Sequence, residues 1–398
     1  MRYLFIFAIL SLYYPALSQK INSAKIDSII RIGKETHSDG IVIIKDNKVL
    51  VEEYYGTPNT PTYIASVSKA LTSMAIVKLL SEGKIKSIDQ PVADFYPEWK
   101  QGNKRFVTLR MLLSHTSGMQ NERNAGLELE PAPTWRAKNI IKLALAAELS
   151  DKPGTVYSYN NKATALLGGI IEVASGKRMD TYFEEEFFKP MNITEFDWIK
   201  DEDGNATAHG AFRLKARDLA KFGQLMLNKG EYNGVRFFEE RWVDSSFAQS
   251  NNINDEIGLL WWRKPKKMVF AFSNKEKIDA LEKAGLPEGV LSKFKTFYNQ
   301  SFSYEDMITT YGKTFGTKWP HLFDSLSKKY AIDLRGLPTR SASKEIIGYY
   351  HTGSWGNFLV IIPQLNLVAV RVVKRDKDYI EGADMFGNFT TKVFELVE

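Results

Sequence analysis

No cysteine occurs among the 398 residues. That excludes disulfides, thiol catalysis, cysteine-held metal and lipid attachment through an N-terminal cysteine, so the core alone must hold the fold. Histidine is scarce: the five at positions 37, 115, 209, 321 and 351 show no HxH or HExxH spacing, a weak basis for a metal enzyme. Neither sign of charge dominates. The 53 basic and 47 acidic residues are interspersed and leave a formal charge of +6, which gives no electrostatic case for nucleic acid. Low-complexity tracts, internal repeats and flexible linkers are also missing. With 44% hydrophobic residues, the chain can bury at least one large core.

The one long apolar run lies at the start, in MRYLFIFAILSLYYPALSQ. It has a single arginine, an apolar stretch from Leu4 to Leu12 and a small-residue exit at Ala16-Leu17-Ser18. This is the pattern of a secretory signal, residues 1–18, cleaved before Gln19. A single membrane anchor is the alternative, but the run is shorter than the ~20 residues a span needs. Cleavage removes only Arg2 and leaves residues 19–398 at +5, expected in the periplasm or outside the cell.

Two pairs of strands bracket this mature chain. Ile41–Lys45 and Lys48–Tyr54 join through Asp46-Asn47, which favours a tight turn. Phe358–Ile362 and Leu365–Val373 join through Pro363-Gln364. Between them the apolar period is helical over Ser68–Glu82, Thr134–Leu149, Asn161–Ser175, Asp180–Phe188 and Ala216–Asn228. The expected class is therefore α+β: one antiparallel sheet formed by both chain ends, with a helical lobe inserted into it.

Within this frame the stretch YIASVSKALTSMAIVKLL, residues 63–80, poses a question about Ser66. Val67, Ala70, Leu71, Met74 and Val77 recur at helical spacing, so the helix is expected to bury one face, with Ser66 at its start. A serine there is by default an N-cap. It can also be a nucleophile, because the residue three positions on, Lys69, neighbours it on the helix. The helix N-terminus further offers free N–H groups and a positive dipole end to a developing oxyanion. The Ser-x-x-Lys spacing recurs at Ser81, Ser292, Ser325 and Ser341, so spacing alone does not decide. Such a serine needs a base, a proton path and a second oxyanion donor. The candidate partners are KPGTVYSYNN, with Tyr159 and Asn161 two apart, and YYHTGSWGNFLVIIP, where glycines flank Ser354 before a buried strand.

Taken together, Ser66-Val67-Ser68-Lys69, Tyr159-Asn160-Asn161 and His351-Thr352-Gly353 resemble, in order and context, the three motifs of serine β-lactamases and penicillin-binding proteins. The tyrosine in the second motif is similar to class C β-lactamases, D,D-peptidases and related esterases. LRMLLSHTSGM at 109–119 and AFRLKARDLAKFGQLMLNKG at 211–230 support the resemblance, which runs from about Ile41 to Val373. The resemblance implies a β-lactamase/transpeptidase-like fold and an acyl-enzyme on Ser66. Lys69 takes the Ser66 proton and Tyr159 relays it to the leaving group. Asn161 orients the substrate amide and Lys69, and His351 binds a substrate carboxylate or supports Tyr159. Thr352 and Gly353 line the same strand, and the oxyanion sits between the N–H groups of Ser66 and Ser354. No metal and no organic cofactor is implied. The expected ligand is a small molecule or a peptidoglycan-derived peptide, bound by a monomer. His115 in SHTSG is tempting as a triad base, but in the resembling family that phrase is a scaffold turn, and no Gly-x-Ser-x-Gly elbow is present.

Two departures bear on substrate. His351 stands where β-lactamases of this type carry lysine. A histidine contact would strengthen for carboxylates as pH falls through about 6.5, which puts D-amino peptides and small esters ahead of β-lactams. The alternatives are a class C-like β-lactamase and a penicillin-binding sensor without turnover. The second departure is an insertion at 263–340, between a tryptophan-rich strand, GLLWW, and the third motif. It holds the basic piece RKPKK, helical patterns at Lys275–Ala284 and Leu291–Phe297, and many aromatics. It is expected to be a small subdomain that overhangs the active site or packs away from it.

Overall fold

The computed structural model describes residues 21–396 except 57–58, 121–122, 125–126, 129–133, 135, 211, 317, 375–378 and 381–383. The expected signal at 1–18 lies outside the described residues. Strands β1 (Gly40–Lys45) and β2 (Lys48–Glu53) form a hairpin through Asp46 and Asn47, both with positive φ, at 51° and 59°. This is the backbone that two-residue hairpins favour. Further along come β3 (Trp262–Pro265), then β4 (Met268–Ala271), β5 (Ser301–Phe302) and β6 (Thr339–Ala342), and finally β7 (Ile346–Gly353), β8 (Asn357–Ile362) and β9 (Leu367–Val372). Six of these make one antiparallel sheet in the order β3-β7-β8-β9-β1-β2, which joins the chain ends through the β9–β1 pairing of Val372 with Gly40 through Leu367 with Lys45. The last strand starts later than its apolar run because Pro363–Leu365 form a 3₁₀ turn and Asn366 is left-handed at φ 49°.

Strands β8 and β9 are buried along their whole length, so apart from Asn357 and Arg371 they read as apolar runs. On one face Ile41, Ile43, Phe358 and Val360 pack with the helices at the chain ends, α1 (Ser23–Glu35) among them. On the other, Val42, Ile44, Leu359 and Val368 join the core of the helical lobe. That lobe contains α2 (Ser68–Ser81), α3 (Asn161–Ser175) and α4 (Ala216–Leu227). Helix α2 does not bury one face as expected: every residue from Ser68 to Val77 is buried, because the helix runs through the middle of the lobe. Within the span expected over Thr134–Leu149, Ile140–Ala146 form a helix, capped by the Asn139 side chain. The one expected over Asp180–Phe188 is an α-helix to Phe183 that widens into a π-turn over Glu184–Phe188.

The GLLWW segment is not a strand until Trp262, since Leu260 turns left-handed at φ 57°. Residues 263–265 therefore belong to the main sheet, and the inserted body runs from Met268 to Ala342. Among the described residues it has its own three-stranded sheet, β5-β4-β6, and four helices: α5 (Lys275–Lys283), α6 (Glu288–Lys295), α7 (Tyr304–Phe315) and α8 (Trp319–Tyr330). Its core is separate from the other two and is aromatic, with Phe294 and Phe323 fully buried and Tyr311 stacked edge-on to Phe323 at 5.1 Å. A final helix, α9 (Phe389–Phe394), closes the chain-end layer.

Candidate active site

Ser66 sits in a 3₁₀ turn, Ala65–Val67, just before α2, and Ala65 is left-handed at φ 48°. The α-helix starts at Ser68 without a side-chain cap, so Ser66 is not an N-cap. Its hydroxyl instead accepts a hydrogen bond from Lys69 Nζ at 3.0 Å. The Lys69 side chain is fully buried. It also donates to the His209 carbonyl at 2.9 Å and lies 4.8 Å from the centre of the Tyr159 ring. One turn on, Thr72 donates to the Ala208 carbonyl at 2.7 Å. The 208–209 backbone thus fixes both α2 and the amine. A hydroxyl and an amine 3.0 Å apart are within proton-transfer range in either direction.

The second motif is set by its middle residue, which the sequence reading passed over. Asn160 caps α3: its Oδ1 accepts from Ala163 N–H at 3.1 Å, its Nδ2 donates to the Met119 carbonyl at 3.1 Å, and its own N–H donates to His115 Nδ1 at 3.2 Å. Tyr159 and Asn161 flank this cap and are held by it. An asparagine directly before a helical apolar period was the available signal. His115, left-handed at φ 56°, lays its ring 4.6 Å from that of Tyr159. Its Nδ1 is occupied by Asn160, so it holds the Tyr159 loop.

The third motif ends β7. A Cβ on Gly353 would stand 2.6 Å from the Ile64 carbonyl and 3.1 Å from Ala65 Cβ. Only a glycine lets the strand come this close to the nucleophile turn. Beyond it Ser354 is exposed in the turn Ser354–Gly356, whose Trp355 is left-handed at φ 68° and packs on the Tyr63 ring at 5.3 Å. The buried guanidinium of Arg371 anchors this turn by donating to the Gly356 carbonyl at 2.6 Å. It also donates to the carbonyls of Thr36 and Asp384, both at 2.8 Å. Ser66 and Ser354 thus lie on the two segments that touch at Gly353. Thr352 points to the other face of the sheet, where it lines a cavity with Tyr350 and Phe358.

His351 corrects an expectation. It is buried, and its Nδ1 lies 2.8 Å from the Thr352 carbonyl. Burial, then the Lys69 charge, pushes it down to about 3, against an opposing pull from the Thr352 carbonyl. It is therefore neutral at pH 6.5 and offers no protonation step there for a carboxylate contact. His115 and His209 are pushed below the usual imidazole range by the same causes, burial first and Lys69 second. Three histidines that are far apart in sequence thus converge as neutral rings around one lysine. Among the described residues, no group of three or more His, Cys, Asp or Glu side chains could hold a metal ion.

A hydroxyl, an amine and a phenol gathered on a buried helix start, beside the edge of an antiparallel sheet, are the marks of an active-site-serine hydrolase with the β-lactamase/transpeptidase-like fold. The comparisons with known proteins agree: residues 26–386 match the Beta-lactamase family, and the chain belongs to it. It is similar to Protein flp of Staphylococcus aureus (strain N315), 29% identical over 209 residues, covering 48% of this chain and 40% of flp. It is also similar to the D-alanyl-D-alanine-carboxypeptidase/endopeptidase AmpH of Escherichia coli (strain K12), 31% identical over 226 residues, covering 55% of this chain and 58% of AmpH. The chain thus matches only about half of the length of these curated relatives. A penicillin-binding protein homologue from Caulobacter crescentus shares the fold, with a TM-score of 0.57 at 14% identity over 95% of this chain and 99% of that one.

Proposed function

We propose that the protein is an exported, monomeric serine hydrolase that forms an acyl-enzyme on Ser66 and acts on D-amino peptides or small esters, as a carboxypeptidase or esterase. The observation that carries this reading is the 3.0 Å contact between Ser66 Oγ and the fully buried Lys69 amine. Ser66 Oγ attacks the substrate carbonyl while the Lys69 amine, in its unprotonated form, takes the Ser66 proton. Tyr159, whose ring lies against the amine, passes a proton to the leaving group. The N–H groups of Ser66 and Ser354 receive the oxyanion, Asn161 orients the amide, and water then releases the acyl group. The neutral state of His351 removes the fixed cation that lysine supplies in the related β-lactamases. This favours peptides and esters over β-lactams, and the peptidase named in AmpH supports the same choice. The apolar run Leu4–Leu12 supports export.

Intact-mass analysis with a fluorophosphonate, a penicillin and a short-chain ester tests the reading. A covalent adduct on the parent, absent from Ser66→Ala, with turnover of the ester, is the expected result. A stable penicillin adduct without ester turnover would instead mark a sensor, and an adduct that survives Ser66→Ala would remove Ser66 as nucleophile.

A further inference from the structure

The turn that carries Ser354 is backed by two fully buried polar side chains, Asn357 and Arg371. Asn357 starts β8 and pairs with Gly353 at the end of β7. Its Nδ2 donates to the Ser354 carbonyl at 2.9 Å, and its Oδ1 accepts from Val373 N–H, just past β9, at 3.0 Å. Arg371 takes the other end of the turn through the Gly356 carbonyl, and its Nε donates to the Ser38 hydroxyl at 2.7 Å. The first and last carbonyls of the turn are thus held from behind.

The backbone between them is one that few residues adopt unaided. Trp355 and Gly356 are successive left-handed residues, at φ 68° and 91°. Across the Gly353 contact, Ala65 beside the nucleophile is left-handed too, at φ 48°. A left-handed alanine and a left-handed tryptophan therefore flank the place where the Ser66 and Ser354 segments meet. Such residues persist where their surroundings over-determine them, and they cluster at active sites. On the Ser354 side, Asn357 and Arg371 supply that constraint. Packing alone does not call for an asparagine here, since the rest of β8, Phe358 to Ile362, is apolar. A buried amide is costly in such a strand unless both of its ends are bonded, and the bonds of Asn357 go to the turn and to the end of β9.

We propose that Asn357 is a positioning residue for the oxyanion site. Gly353 is paired in the sheet, and the Ser354 carbonyl is tied to the Asn357 amide. The residue whose N–H receives the oxyanion is therefore held at both ends before substrate arrives. This inference rests on the reading of Ser66 as nucleophile and Ser354 N–H as oxyanion donor.

Asn357→Asp keeps the shape and the acceptor for Val373 N–H but loses the donor to Ser354. Single-turnover acylation by p-nitrophenyl acetate and by its thiono analogue separates positioning from simple loss of folded enzyme, because a thiolate-like sulfur accepts weaker hydrogen bonds than an oxyanion. The parent should favour the oxygen ester. The variant should lower that preference about tenfold or more, through a slower acylation by the oxygen ester. A purely structural defect slows both esters alike, and an unchanged ratio overturns the proposal. A parent without preference for oxygen overturns it as well. Should Asn357→Asp show no cooperative urea transition, Asn357→Ser, which brings no buried charge, carries the same comparison. Fluorophosphonate labelling of the parent, located by peptide mass, keeps the two claims apart. Label on Ser66 with an unchanged ratio removes the role of Asn357 alone, whereas label elsewhere removes the Ser66 reading and this proposal with it.

Discussion

Acidification should weaken the fold through His351, and the size of the effect follows from its surroundings. An imidazole in the unfolded chain takes up a proton near pH 6.5. In the fold, burial and the Lys69 charge hold His351 down to about 3. Between those values the unfolded chain binds one more proton than the native state, so stability falls as pH falls, by about 1.4 kcal/mol per pH unit for this residue. The loss is absent above pH 6.5 and complete below about 3. Going from pH 7 to 4.5 crosses two units of that window and costs on the order of 3 kcal/mol. His115 and His209, displaced in the same direction, add to the loss. Carboxylates held low in the fold, such as Asp89 beside Arg110, add a further loss only as pH falls below about 4. His351→Asn removes only the first contribution. Urea unfolding of parent and variant at both pH values should therefore show the parent losing on the order of 3 kcal/mol more than the variant. Equal losses would refute the claim that His351 is buried neutral, and would reopen a protonated histidine near pH 6.5 as a carboxylate contact.

Four further outcomes follow from the site. Ser66→Ala should cost at least ~10³ in acylation rate and only about 1 kcal/mol of stability, since Ser66 does not cap α2; a variant within tenfold of the parent in turnover ends its role. Lys69→Met and Tyr159→Phe should lower the acylation rate by ~10² or more with little change in ligand affinity; pre-steady-state kinetics that show a change in KM alone would withdraw either role. Gly353→Ala pushes a methyl to within 2.6 Å of the Ile64 carbonyl and should cost ~1–3 kcal/mol of stability and at least tenfold in kcat; an unchanged kcat would mean the nucleophile turn does not depend on this contact. Arg371→Met leaves the buried carbonyls of Gly356 and Asp384 and the half-buried one of Thr36 without this donor and should lower stability by ~3 kcal/mol or more, read as a fall in urea midpoint.

Much of the sheet was legible because its signals are local. Asp46-Asn47 between two apolar runs specifies a hairpin, and β8 and β9 announce two-sided burial by having no polar alternation at all. The Asn161–Ser175 helix matched to the residue, since Asn160 caps one end and Gly176, left-handed at φ 72°, stops the other. What the sequence hid depends on partners far along the chain. Apolar period could not show that α2 is enclosed on every side, or that Leu260 would turn left-handed and delay β3 to Trp262. Helices α7 and α8 show in the sequence mainly as aromatics, although Ser303 caps the first by accepting from Asp306 N–H and Pro320 sits in the first turn of the second. At the site, the motifs named Ser66, Lys69 and Tyr159, but not the ring of neutral histidines. His115, His209 and His351 come together only because the 208–209 backbone, the turn after residue 113 and the end of β7 all close on Lys69.

The insertion enters through β3–β4 and leaves through β6–β7. Between these strands Lys266 N–H donates to the Glu345 carbonyl at 2.9 Å and Ser343 N–H to the Lys267 carbonyl at 2.8 Å. Met268 then pairs with Ala342. The two passages form one antiparallel ribbon that rises from the main sheet into the small one. In topology, then, the subdomain is a hairpin loop that has grown a core of its own. Its length and composition can change at the tip while the ribbon keeps Trp262 opposite Tyr350 and His351 opposite Leu359. The main sheet with its third motif and the inserted body are therefore parts that can be exchanged separately, by engineering or by descent.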